Sequence, residues 1–120
     1  MNSGPAELAP GGVNGSASDA RPNVRRNGRE IVWDANRQGN GNQDIWTSSR
    51  ASTSEPWGPA VHLTQVSSPT HNDTRASLSW DGTFLLVGSN RPADATGRPG
   101  EGGNDIYVAT RSQVRGGGAD

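Results

Sequence analysis

Cysteine is absent from this 120-residue chain, so neither a disulfide scaffold nor a thiolate zinc or iron–sulfur site can hold it together. Lysine is absent too. All eleven basic residues are Arg, set against twelve acidic ones for a formal net charge of −1. That balance gives no electrostatic case for nucleic acid as a partner. It turns attention instead to Asp–Arg pairs, because the planar guanidinium fork binds carboxylates in fixed geometry. Large apolar side chains are scarce: Leu, Ile, Val and Phe number 17, about 14% of the chain, which is thin for a core. Scarcity of this kind signals disorder when net charge is high, and here it is not. No apolar run approaches the ~20 residues of a membrane span, so membrane insertion is not expected, and the polar opening residues do not read as a secretory signal. Seventeen Gly and eight Pro disfavour long helices and favour short strands joined by turns.

What is present is a repeat. At one fixed offset, Gly4-Pro5-Ala6 returns as Gly58-Pro59-Ala60, Asp19-x-Arg21 as Asp73-x-Arg75, Asn27-Gly28 as Asp81-Gly82 and Asn36-Arg37 as Asn90-Arg91. The second copy then carries an insertion before Asp44-Ile45-Trp46 through Arg50 reappears as Asp105-Ile106-Tyr107 through Arg111. Self-similarity of this length marks a repeat architecture. The boundaries it suggests are a tail at residues 1–3, repeats at 4–57 and 58–111, and a Gly-rich tail at 112–120.

Each copy reads as a small antiparallel sheet. Asn27-Gly28 and Asp81-Gly82 are expected as two-residue hairpin turns between strands at about 21–26 and 29–35, and at about 75–80 and 83–89. Further strands are expected at Asp44–Ser49 and Asp105–Thr110, with weaker ones near Ala60–Thr64 and Ala6–Ala9, making four per repeat. Continuous apolar runs, Ile31-Val32-Trp33 and Phe84-Leu85-Leu86-Val87, suggest strands covered on both faces. Such a pattern fits stacked blades of four strands per ~40–50 residues. The stretches Met1–Ser18 and Arg115–Asp120 are low in apolar residues and are expected to fray.

Three segments, Asp73-x-Arg75-x-x-Leu78-Ser79-Trp80-Asp81-Gly82-Thr83, Gly88-Ser89-Asn90-Arg91-Pro92 and Asn104-Asp105-Ile106-Tyr107-Val108, resemble the WD40-like β-propeller repeat of the TolB type. Asp44-Ile45-Trp46 through Arg50 and Pro56-Trp57-Gly58-Pro59 are similar to the same family's repeat junction. Arg25-Arg26-Asn27 departs from the pattern, standing where the family has Ser, a small or apolar residue and Asp. The resemblance implies an all-β chain of two four-stranded antiparallel blades, part of a larger TolB-like propeller. It also implies a bacterial periplasmic or secreted setting and a non-enzymatic role as a protein-binding scaffold, with no cofactor. Two other readings share the fold: an accessory, substrate-gating propeller of a larger hydrolase or peptidase, and a carbohydrate-binding propeller.

Alternating strand direction should gather Asp19, Asn36, Arg37 and Asp44 at one edge of the first sheet, and Asp73, Asn90, Arg91 and Asp105 at the same edge of the second. These eight are expected either to latch the blade, with Arg bridging carboxylates and Asp capping loop N–H groups, or to contact a partner from a loop face widened by residues 92–104. Recurrence in both copies favours the latch. No metal is expected. Gly100-Glu-Gly-Gly-Asn-Asp105 resembles one half-repeat of a calcium-binding roll but is equally explained by turn geometry, and His71 with Asp73 matches no familiar metal spacing. Trp33, Trp46, Trp57 and Trp80 lie on expected strands or at the junction and are expected to pack. Two blades leave outer faces uncovered, so three copies closing a six-bladed ring, or the remainder of a longer propeller, are the expected neighbours.

Overall fold

A computed structural model describes residues 4–38, 42–68 and 70–112. They form strands and no helix: β1 (Asp19–Val24), β2 (Glu30–Ala35), β3 (Asp44–Ser49), β4 (Val61–His62), β5 (Asp73–Leu78), β6 (Phe84–Ser89) and β7 (Asp105–Thr110). Two antiparallel sheets result, β1-β2-β3-β4 and β5-β6-β7, and the all-β expectation is met at that level. The tail expected at residues 1–3, and all but the first residue of the Gly-rich tail expected at 112–120, lie outside the described residues.

The repeat is written in the backbone. β5 follows β1 at the same offset as β6 follows β2, and β7 follows β3 at an offset lengthened only by the insertion. Pairing slips between Ala20 and Asn23 in the first hairpin and between Thr74 and Ser77 in the second. At these matching bulges Arg21 and Arg75 hold φ of 51° and 54°, a region that non-glycine residues seldom enter.

Both hairpins form, with wider loops than expected. Arg25 N–H donates to the Glu30 carbonyl at 2.8 Å and Gly28 N–H to the Arg25 carbonyl at 2.8 Å; Ser79, Phe84 and Gly82 repeat the pattern at 3.0 Å for both bonds. Only Gly28 and Gly82 take positive φ, 74° and 73°, while Asn27 and Asp81 do not. A two-residue I′ loop needs positive φ at both central positions, so each strand ends earlier and the loop takes up the difference.

Two strand expectations are corrected. Residues 6–9 form no strand: the flanking Pro5 and Pro10 lack N–H groups, and Leu8 is 85% exposed. The segment near Ala60–Thr64 does supply a strand, but it pairs with the preceding sheet rather than leading the second hairpin, with Trp46 opposite His62 and Thr47 opposite Val61. The first sheet therefore has four strands and the second has three among the described residues.

β2 runs through the middle of the core and is buried along its whole length. One face, with Ile31, Trp33 and Ala35, packs with Trp46 beneath Val13 and Trp57. This corrects the expected fraying of Met1–Ser18 for its later part. Trp57 N–H donates to the Pro10 carbonyl and Gly12 N–H to the Trp57 carbonyl, both at 3.1 Å, and Val13 is buried. The other face presents Val32, which joins Ile45 of β3 against Ala76, Leu85 and Val87 of the second sheet. β6 is covered on one face only: Leu85 and Val87 are buried, whereas Phe84 and Leu86 are 51% and 44% exposed, as are Ile106 and Val108 beside them at 75% and 60%.

Candidate functional site

The ends of β1, β2 and β3 meet at one sheet edge, since Asp19 pairs with Ala35 and Ala35 with Asp44. The ends of β5, β6 and β7 do the same through Asp73, Ser89 and Asp105. At the first edge Arg37 Nε donates to Asp19 Oδ1 at 3.0 Å, and its Nη2 donates to the carbonyls of Gly12 and Val13 at 3.2 and 3.0 Å. At the second, Arg91 Nη2 donates to Asp73 Oδ1 and to the Val66 carbonyl, each at 2.6 Å. Each Arg therefore ties one carboxylate to the backbone leading into its sheet. It does not bridge to the next carboxylate as expected: Asp44 faces His62 and Asp105 faces its own loop.

The carboxylates and amides cap loop N–H groups in matching ways. Asp19 accepts from Gly15 N–H at 2.9 Å and Asp73 from Ser68 N–H at 2.6 Å. Asn36 accepts from Ser18 N–H at 3.1 Å and Asn90 from Asn72 N–H at 2.9 Å, again at the offset that separates Asp19 from Asp73. Asp105 accepts from the Glu101 and Gly102 N–H groups at 3.1 and 3.3 Å, which assigns the Gly-rich stretch to a turn. Burial pushes the Asp19 carboxyl up, but the Gly15 N–H, the Trp33 indole and the Arg37 guanidinium outweigh it and hold it below its ordinary 3.8. Asp44 moves the other way: burial and the Asp73 charge raise it against the opposing pull of His62.

His62 carries a role the sequence reading missed. Its ring stacks on Trp46 with centroids 4.7 Å apart, and Nε2 lies 3.2 Å from Asp44 Oδ2, close enough for an ion pair though not aligned as a hydrogen bond. Its Nδ1 is 3.2 Å from Gln38 Nε2. His71 is elsewhere, with Nδ1 2.9 Å from Thr70 Oγ1. Among the described residues no group of three or more acidic or imidazole side chains gathers in a way that could hold a metal ion.

A second cluster lies at the opposite, hairpin end. Arg25, the departure from the repeat pattern, is only 2% exposed and crosses to the second hairpin, where Nη2 donates to the Asp81 carbonyl at 2.8 Å and Nε to that of Trp80 at 3.3 Å. Arg50 Nε binds the Gly28 carbonyl at 2.9 Å and Arg111 Nε the Gly82 carbonyl at 2.6 Å. Arg111 also holds Glu30 across the sheets at 2.7 Å. The recurrence of Arg50 as Arg111 was the available signal for this clasp. Buried Asp34 ties the sheets together near the Asp19–Asp44 edge instead, accepting from Arg21 Nε at 3.1 Å, Arg75 N–H at 3.0 Å and Gln43 Nε2 at 2.7 Å. Between the sheets at the hairpin end lies a cleft of about 460 Å³, lined by Val32, Leu63, Leu78, Leu85, Glu30 and Arg111.

Three of the four tryptophans are buried as expected. Trp80 is the exception: β5 ends at Leu78, so the indole sits on the turn, 72% exposed, with the Arg26 guanidinium 4.6 Å from its ring centroid. No family model and no curated protein matches the chain.

Proposed function

We propose that the two sheets are neighbouring blades of a TolB-like β-propeller that serves as a non-enzymatic, protein-binding scaffold. The observation that carries this reading is repetition in three dimensions. Two sheets with the same strand offsets, the same bulge and the same Asp–Arg tie stack face to face through Val32 and Ile45 against Ala76, Leu85 and Val87. Sheets that cover each other serially in one direction are what a bladed array needs. In this proposal the Asp19–Arg37 and Asp73–Arg91 pairs are latches: their fork atoms are engaged with their own repeat, which leaves the loops beyond them to meet a partner. The resemblance in the repeat segments supports a bacterial periplasmic or secreted setting.

Photo-crosslinking in a bacterial envelope extract tests the proposal. A benzophenone side chain replacing Ala95 in the 92–104 loop should yield a discrete protein adduct, and the same group replacing Ser52 at the hairpin end should not. Equal yields at both ends, or none at either, count against it.

A further inference from the structure

The first sheet holds a seat for an aromatic ring. Trp57 packs with Ile31 of β2, and the backbone beside it is fixed to β3, Gly58 N–H donating to the Ser49 carbonyl at 2.9 Å and Ser48 Oγ to the Gly58 carbonyl at 2.8 Å. The Arg50 guanidinium lies 3.9 Å from the ring centroid. Arg50 is itself held by two backbone carbonyls, its N–H donating to Arg29 at 3.0 Å and its Nε to Gly28 at 2.9 Å.

The second sheet builds the same seat from its own residues. Leu85 stands opposite Ala109 across β6 and β7 as Ile31 stands opposite Ser48 across β2 and β3. Arg111 is held as Arg50 is, its N–H donating to the Thr83 carbonyl at 3.0 Å and its Nε to the Gly82 carbonyl at 2.6 Å. Among the described residues no ring lies against this guanidinium. What adjoins it is the cleft of about 460 Å³ between the sheets, whose second-sheet wall includes Leu85, Ala109, Thr110, Arg111 and Gly82, the counterparts of Ile31, Ser48, Ser49, Arg50 and Gly28. The first sheet and the segment after it supply the facing wall, with Val32 and Leu63 as apolar cover and Glu30 as its charged group. The Glu30 side chain is only 10% exposed, and its Oε1 accepts from Arg111 Nη2 at 2.7 Å.

We propose that this cleft binds a small planar aromatic molecule carrying a ring N–H, of the indole type, with its face against Arg111 and Leu85 and its N–H donating to Glu30. The volume is that of a small-molecule site, with apolar walls on both sides and a few fixed polar groups. A guanidinium favours an electron-rich ring face, and a buried carboxylate, with lone pairs beyond the one Arg111 takes, favours a donor and disfavours an anion. The inference goes beyond the scaffold reading and stands without it, because it needs only the two sheets as they pack.

Indole itself is the probe, titrated into the isotope-labelled full chain and followed by amide chemical shifts. Shifts should centre on Leu85, Ala109 and Arg111, with a Kd of about 0.1–1 mM, the scale for a single bicyclic ring. Benzofuran, which keeps the shape and lacks the N–H, should bind about ten-fold more weakly, as expected for losing one hydrogen bond to a charged group. Ala109→Phe puts the chain's own ring into the seat and should abolish indole binding while leaving the amide pattern of the first sheet in place. The proposal is overturned if millimolar indole leaves Leu85, Ala109 and Arg111 unmoved, or if the shifts centre on Phe84 and Leu86. It is overturned equally if benzofuran binds as tightly as indole, or if folded Ala109→Phe binds indole as the parent chain does.

Discussion

Ile45 and Ile106 hold the same place in the two sheets, yet Ile45 is fully buried and Ile106 is 75% exposed. The neighbouring positions diverge in chemistry as well. Glu30 and Asp34, which reach Arg111 and Arg75 across the interface, correspond to Phe84 and Gly88 in the second sheet. One repeat thus carries polar keys to a sheet that is present, and the other carries a bare apolar face. The strand itself does not decide burial; the neighbour does. The covered copy is also the one that has exchanged apolar area for directional bonds, as burial beside a fixed partner permits.

The largest test of that contrast uses the identical residue on both sides. Ile45→Ala should cost about 2–5 kcal/mol in chemical denaturation, the range for emptying a core site, and Ile106→Ala should stay within about 0.5 kcal/mol. Equal losses would mean that the second face is covered in solution. A smaller difference is expected between the two latches. Arg91→Ala should cost about 1.5–3 kcal/mol, because Asp73 is fully buried and is left with its Ser68 N–H bond, while Arg37→Ala should cost about 1 kcal/mol, because Asp19 is partly exposed and retains Gly15 and the Trp33 indole. A larger loss for Arg37→Ala would reverse that ranking.

The smallest effect is in acid. Since the folded-state carboxyl of Asp19 is held below its ordinary value, its stabilisation is present above that value and disappears as pH falls through the lowered one. Asp81 and Asp94, held low by hydrogen bonds from Thr83 and Thr96, act in the same direction. Melting temperatures from neutral pH to about pH 2 should therefore fall less steeply for Asp19→Asn than for the parent chain. Parallel curves would remove the first latch from the account.

Much of this was legible because it repeats. The recurring offsets located six of the seven strands and both Asp–Arg ties, since two copies of a spacing constrain each other. What the sequence concealed depends on one copy only. Arg25 reads as a defect in a hairpin motif, and its place as a buried clasp appears only once the Trp80 and Asp81 carbonyls are brought beside it. Nothing in the sequence around His62 marks it out, because its value lies in Trp46 on an adjacent strand. The apolar runs of the two hairpins look alike, and nothing local distinguishes Val32, with a sheet above it, from Leu86 without one.

The indoles give the protein an optical asymmetry. Trp33, Trp46 and Trp57 share one dry cluster on the first sheet, while Trp80 stands in water on the second hairpin beneath Arg26 from the first. Blue-shifted emission therefore follows the packing of the first half. The fraction reached by a dissolved quencher such as iodide follows the seam where the halves meet, so one unlabelled sample reports on both.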